Sequence, residues 1–130
     1  MAQLPDIAAL AEGADGYDVE AFAFVGESLR HAARSLGREV VETDARHLTA
    51  SELVSGVLDL ADRRFGLLAD LVLRGWGITG SIDIGRITFA LIEHGIFSKQ
   101  PTDRLEDFSG GPDFAEELRA RSHHRLVAVN

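Results

Sequence analysis

The residues that could carry out chemistry are few, and their spacing matches no common site. The chain has no cysteine, which excludes disulfides, thiolate nucleophiles and cysteine metal sites. A serine or threonine nucleophile would need a base held by an acid. The sequence contains no G-x-S-x-G elbow, no S-x-x-K pair and no phosphate loop ending in G-K-[ST]. These motifs therefore give no candidate catalytic residue and no cofactor.

Histidine is the remaining common metal ligand, and its spacing also gives no site. No two histidines lie at the H-x-x-x-H spacing of a helical metal site, and none has a carboxylate at i+3 or i+4 on a convincing apolar face. His94 directly precedes Gly95, where an imidazole favours the negative end of a helix dipole. The sequence therefore predicts structural or solvated roles for His31, His47, His94, His123 and His124.

The apolar residues recur at helical spacing, so helices are expected to position any functional site of the chain. From Tyr17 apolar residues recur every three or four positions up to Gly37, which predicts a helix with that glycine in the C′ position. Thr49 and Glu52 fit a capping box that starts a second helix. The apolar stripe continues beyond Gly66, and whether Gly66 bends one helix or separates two stays open. The residues predicted to be buried here are Leu53, Val57, Leu60, Ala61, Phe65, Leu68, Leu71, Val72 and Trp76.

Glycines mark the joint before the next helix and the end of that helix. Two of them flank Trp76, which we expect to be mostly buried at the joint. Ser81 is the predicted N-cap of the following helix, with Asp83 in the first turn facing the helix dipole. Gly85, in the same turn, is expected to allow close packing. Gly95 should end the helix in the left-handed cap position.

The segment after this helix favours strands. Two short apolar-bearing runs lie on either side of Pro-Thr-Asp-Arg, which is compatible with a β-hairpin whose arms are Ile96–Ser98 and Leu105–Phe108. Residues 38–48 could hold another short strand. Pro112 precedes a last amphipathic helix, and residues 125–130 are apolar enough to dock or to add a strand.

The fold class that follows is mainly α: a compact helical domain with a short β-hairpin, in the winged-helix-like order helix-helix-turn-helix-hairpin. A chain of 130 residues suits one domain. We expect an N-terminal acidic segment (1–16), a single globular domain (17–118) and a basic C-terminal tail (119–130). The N-terminus lacks the basic lead and apolar run of a signal peptide, and no apolar run is long enough to span a membrane. The sequence therefore predicts a soluble cytoplasmic protein.

Several short motifs follow one another in order over roughly residues 17–114. They are Tyr17…Ala21…Phe24-Val25, Arg46-His47, Glu52-Leu53, Phe65-Gly66, Trp76-Gly77-Ile78, Asp83-Ile84-Gly85, Leu91-Ile92…Gly95-Ile96 and Asp103…Glu106-Asp107-Phe108. The pattern resembles the Minf-type family of small uncharacterised bacterial proteins. That family has an aromatic after Ala21, met here by Phe22, and a threonine before Asp-x-Gly, where this chain has Ser81-Ile82. The resemblance implies no activity, substrate or cofactor. It marks a structural signature of Trp76, Asp83, Gly85 and Phe108.

The resemblance also marks four polar residues without giving them a role: Arg46, His47, Asp103 and Asp107. In the winged order, residues 45–48 would form a strand against the hairpin. The Arg46 guanidinium would then reach Asp107, or failing that Asp103, as a bidentate ion pair. The alternative is a small-ligand pocket lined by the same residues, in which His47 exchanges a proton near neutral pH. The structural role is favoured because no nucleophile or metal set accompanies the cluster.

Charge distribution bears on the class of partner. The net charge is −8, the first 29 residues hold six acidic and no basic residues, and the C-terminal end is basic. Such asymmetry can steer self-association or a partner. From Arg74 to Phe108, the span of the would-be recognition helix and wing, there are four basic and five acidic residues, which disfavours phosphate contacts. We therefore expect a protein partner or self-association, no nucleic acid and no membrane. The predicted function is a protein-interaction or scaffolding module without catalysis. The alternatives are a winged-helix nucleic-acid-binding regulator and a small-ligand-binding protein.

Overall fold

The computed structural model describes residues 16–37, 48–95 and 104–129, and every regular element in these ranges is helical. The elements are α1 (Val19–Ser35), α2 (Ala50–Phe65), a 3-10 turn (Gly66–Leu68), α3 (Ala69–Gly75), α4 (Ser81–Glu93), a 3-10 helix (Leu105–Phe108) and α5 (Phe114–Val129).

The predicted β-hairpin, and with it the winged-helix-like order, is wrong. Its second arm, Leu105–Phe108, is one turn of 3-10 helix. Asp107 accepts a hydrogen bond from the Arg104 backbone N–H (3.0 Å), and the Ser109 hydroxyl donates to the Glu106 carbonyl (2.6 Å). These short polar side chains satisfy backbone groups locally, so the segment turns where a strand would need a partner.

The sequence also allows strands in three other segments. The first hairpin arm, Ile96–Ser98, and residues 38–47 lie outside the described residues, while Leu48 is not in a strand. The last described residues continue α5 as far as Val129, so the alternative of a C-terminal strand is wrong there as well.

Side-chain caps explain where the first two helices begin. Asp18 caps α1 by accepting from the Glu20 backbone N–H (2.9 Å). Thr49 and Glu52 cap α2 reciprocally, with distances of 2.9 and 3.1 Å, which confirms the predicted capping box. Gly37, at a φ of +72°, follows the end of α1 as predicted.

Gly66 separates two helices. Its φ of +56° and ψ of −128° lie outside the helical region, in a conformation that favours glycine. The 3-10 turn that follows has about 3.0 residues per turn instead of 3.6, so the apolar stripe of α2 does not continue in phase into α3. Ala69 and Leu73 are the buried residues of α3, and the predicted burial of Leu68 and Leu71 is wrong.

The start of α4 differs from the prediction by one residue. Gly80 is the N-cap, and Ser81 is the first helical residue. The Ser81 hydroxyl is directed at the Phe108 carbonyl, to which it donates (2.5 Å), and Asp83 accepts from the backbone N–H groups of Thr79 and Gly80. Gly95, with a φ of +76°, ends the helix as predicted.

The core forms where α1, α2 and α4 meet, and α3, the 3-10 helix and the start of α5 close it. Its largest fully buried side chains are Phe22, Phe24, Val25, Val57, Leu58, Leu73, Ile78, Ile84, Ile87, Leu91 and Phe114. Trp76 is partly buried at the joint between α3 and α4, with its ring 5.5 Å from that of Phe24 and 5.8 Å from that of Phe65.

Candidate functional site

Three adjacent leucines are the most exposed large apolar residues of the described chain. Leu67, Leu68 and Leu71 are 74, 61 and 68% exposed. Spacings of three and four residues place Leu71 beside both of the others on one surface. This leucine patch, defined by the three residues, is a direct result of the break at Gly66, which turns them away from the core.

An ion pair between α2 and α5 sets the position of the surface next to the patch. The Asp62 carboxylate is 5% exposed and accepts from the Ser122 hydroxyl (2.9 Å) and the Arg125 Nε (3.1 Å). The Arg125 guanidinium also donates to the Asp62 carbonyl (3.2 Å). Since Asp62 lies one turn before Gly66, these bonds hold α5 alongside the leucine patch.

A groove of about 210 Å³ lies between α5 and the edge of the patch, where Leu67 is the patch residue that lines it. Asp70 stands on the α3 side and pairs with Arg74 one turn along the same helix. Arg119 stands on the α5 side and makes no ion pair with any other described residue. The groove therefore has one acidic and one basic wall. Its lining is Gly66, Leu67, Asp70, Ala115, Leu118, Arg119 and Ser122.

Asp83, one of the signature residues, joins the start of α1 to the start of α4. Its Oδ1 accepts from the Tyr17 hydroxyl (2.5 Å), and its Oδ2 accepts from the backbone N–H groups of Thr79 (2.9 Å) and Gly80 (3.1 Å). Burial opposes the charged carboxylate, but these hydrogen bonds outweigh it and lower the Asp83 pKa. Burial and the bond to Asp83 raise the pKa of Tyr17 to about 12. Asp83 is therefore a buried helix cap, and both of its carboxylate oxygens accept hydrogen bonds.

Gly85 and Phe108, two further signature residues, are in direct contact. A Cβ on Gly85 would lie 2.7 Å from the Phe108 ring, so only glycine lets the ring pack against α4. Phe108 is 5% exposed, and the Ser81 hydroxyl holds its carbonyl. The predicted role of Gly85 in close packing is confirmed.

Of the four residues of the predicted polar cluster, only Asp107 is described. Arg46, His47 and Asp103 lie outside the described residues. Asp107 is exposed, caps the 3-10 helix, and lines a pocket of about 250 Å³ together with Ser81, Phe108 and Arg121. Neither the Arg46–Asp107 ion pair nor the small-ligand pocket is tested by this arrangement, and both stay predictions.

One short contact between a histidine and a carboxylate is not predicted by the sequence analysis. His31 Nε2 lies 2.6 Å from Asp59 Oδ2, which also accepts from Arg63 Nε (3.0 Å). Burial opposes ionisation of Asp59, but the bonds from His31 and Arg63 prevail and lower its pKa. The partners lie 28 residues apart on α1 and α2, so no local spacing signals the contact. The His31 contact joins α1 to α2, and the Arg63 bond lies within α2.

The described surface gives little support to several other kinds of site. Helix α4 contains a single basic residue, Arg86, so it has no basic stripe for phosphate contacts. Within residues 16–37, 48–95 and 104–129 no three histidine or acidic side chains are grouped as metal ligands would be. None of the helices in these ranges is long and apolar enough to cross a membrane.

Comparison of the chain with protein-family models, curated proteins and solved structures finds no match. The resemblance to the Minf-type family therefore stays a prediction.

Proposed function

We propose that the chain is a small cytoplasmic protein-interaction module and that the leucine patch is its contact surface. The observation that carries the proposal is the exposure of Leu67, Leu68 and Leu71, each more than 60% accessible and all on one side of the Gly66 break. A contiguous exposed apolar patch, unlike a single exposed side chain, often marks a contact surface.

The scattered apolar side chains elsewhere do not support a contact surface in the same way. Val19 and Leu36 lie at opposite ends of α1 and are 37 and 45% exposed, and Leu105, at the start of the 3-10 helix, is 39% exposed. Single exposed apolar residues are normal on a protein surface and need no partner. A grouped set of leucines at the edge of a groove is the feature that favours binding.

The test is a capture experiment with a matched control. The wild-type chain, a Leu67→Ser/Leu71→Ser variant and a Leu36→Ser/Leu105→Ser variant are immobilised and exposed to lysate of the source cell. We expect the wild-type and control chains to retain the same proteins, further copies of the chain included, and the patch variant to lose them. Equal capture by all three chains would contradict the proposal.

A further inference from the structure

We infer that the partner of the leucine patch is a second copy of this chain, bound through an isologous interface over the groove between α3 and α5. The inference rests on the proposed function, since it takes the patch to be a contact surface. What points to a second copy is the way apolar and charged groups are arranged across the groove.

The two walls of the groove are complementary to each other. The α3 wall, which includes the preceding 3-10 turn, carries Leu67 and the acidic Asp70, whereas the α5 wall carries the basic Arg119. A two-fold axis that runs along the groove, in the plane of the interface, places the α3 wall of one copy opposite the α5 wall of the other. Asp70 of each copy then faces Arg119 of its partner, and this contact occurs twice.

Each of these two charged side chains can form an ion pair with the partner copy. Arg119 is exposed and has no ion pair among the described residues, so it can take a carboxylate without losing one. The Asp70 carboxylate is paired with Arg74, and its side chain is 31% exposed. A carboxylate has two oxygens and can accept from a second guanidinium. The pairing with Arg119 of the partner therefore adds to the existing ion pair.

The apolar part of the surface is also divided between the walls. Leu126 is 49% exposed and lies on the same face of α5 as Ser122, one turn earlier, which lines the groove. The two-fold arrangement covers the leucine patch of one copy with the partner's α5, including Leu126. Stable interfaces bury about 800 Å² per partner. The patch and groove are smaller, so the dimer is expected to be weak and to form reversibly with concentration.

Charge exchange gives a test that is specific to this geometry. In Asp70→Arg the facing groups become two arginines, and in Arg119→Asp they become two aspartates, so each variant alone should be monomeric. A mixture of the two restores an arginine opposite an aspartate at both contacts and should form a heterodimer. Glu93→Arg and Arg104→Asp make the same changes of charge at exposed positions outside the groove and should behave as the wild type.

Sedimentation equilibrium over a range of concentrations measures the association, and circular dichroism checks that each variant is folded. We expect the association constant to fall at least about tenfold in each groove variant, the equivalent of ~1.4 kcal/mol, and to recover in the mixture. A monomeric wild type, or a dimer that the groove variants leave unchanged, would overturn the inference. If the wild type is monomeric while Leu67→Ser/Leu71→Ser still abolishes capture of other proteins, the inference fails and the proposed function stands. If that variant changes neither mass nor capture, both fail.

Discussion

The contact between Gly85 and Phe108 predicts that one added methyl group destabilises the fold. In Gly85→Ala the new Cβ would lie 2.7 Å from the Phe108 ring and 2.9 Å from the Phe108 Cβ. Because the Cβ is attached to the backbone, rotation of the ring alone does not remove the clash, and the 3-10 helix has to move. Forcing extra methylenes into a packed core typically costs ~1–3 kcal/mol.

The same substitution also gains helix propensity. Replacing glycine by alanine within a helix stabilises it by about 1 kcal/mol. For Gly85→Ala the clash is expected to exceed this gain, for a net loss of up to about 2 kcal/mol in the free energy of unfolding. Gly26, within α1, is the matched control: no heavy atom lies within 4 Å of an added Cβ, so Gly26→Ala should stabilise the protein by ~0.5–1 kcal/mol.

Urea unfolding of the two variants, followed by circular dichroism, measures both effects under one set of conditions. The reasoning predicts shifts of opposite sign in the unfolding midpoint at an unchanged m-value. A Gly85→Ala protein as stable as Gly26→Ala would refute it, because the methyl group would then have found room against Phe108.

Three other predictions concern contacts of partly buried side chains. The single tyrosine, Tyr17, should titrate at a pKa of about 12 in the folded protein, followed by tyrosinate absorbance. Since the ordinary pKa of tyrosine is 10, the contribution of this buried, neutral tyrosine to the free energy of unfolding is fully present below pH 10 and is lost as the pH rises towards 12. Titration near 10 in a folded chain would contradict this. The lowered Asp59 pKa predicts stability that is present above the ordinary aspartate pKa of ~4 and lost as the pH falls through the folded value. Asp59→Asn should flatten the acid side of the stability curve in urea titrations, and an unchanged acid slope would argue against the His31–Asp59 contact. Trp76→Ala should lower the free energy of unfolding by about 3 kcal/mol, because the indole packs against Phe24 and Phe65; an unchanged melting temperature would exclude that packing.

Signals confined to a few neighbouring residues could be read from the sequence. The capping box of Thr49 and Glu52 depends on two side chains three residues apart, and the stops at Gly37 and Gly95 depend on one residue each. Gly85 could be assigned to close packing because glycine is rare inside helices without a reason. The sequence does not reveal that its partner is Phe108, since the two residues are far apart in the chain and the segment between them is predicted to be part of a β-hairpin.

Predictions from the sequence are wrong where a backbone dihedral angle, a residue far away in the chain or a local side-chain bond determines the structure. The backbone angles of Gly66 set the phase of α3, and the composition around Gly66 fits a bent helix as well as two helices. For this reason the sequence predicts that Leu68 and Leu71 are buried, and it gives no sign of the leucine patch. Ser81 has the residue type of a cap, but the Phe108 carbonyl takes its hydroxyl. The 3-10 helix at Leu105–Phe108 shows the opposite case, where local bonds of Asp107 and Ser109 prevail over an apolar strand-like pattern.

The most direct test of whether the leucine patch binds a second copy of the chain is the accessibility of a single thiol placed in it. The chain has no cysteine, so Leu71→Cys introduces one thiol, and Leu36→Cys gives a control thiol at another exposed position. The rate of alkylation is measured at low and high protein concentration with the reagent in excess. The account predicts that modification at position 71 slows as the concentration rises, while the rate at position 36 stays constant. An equal and constant rate at both positions would contradict it.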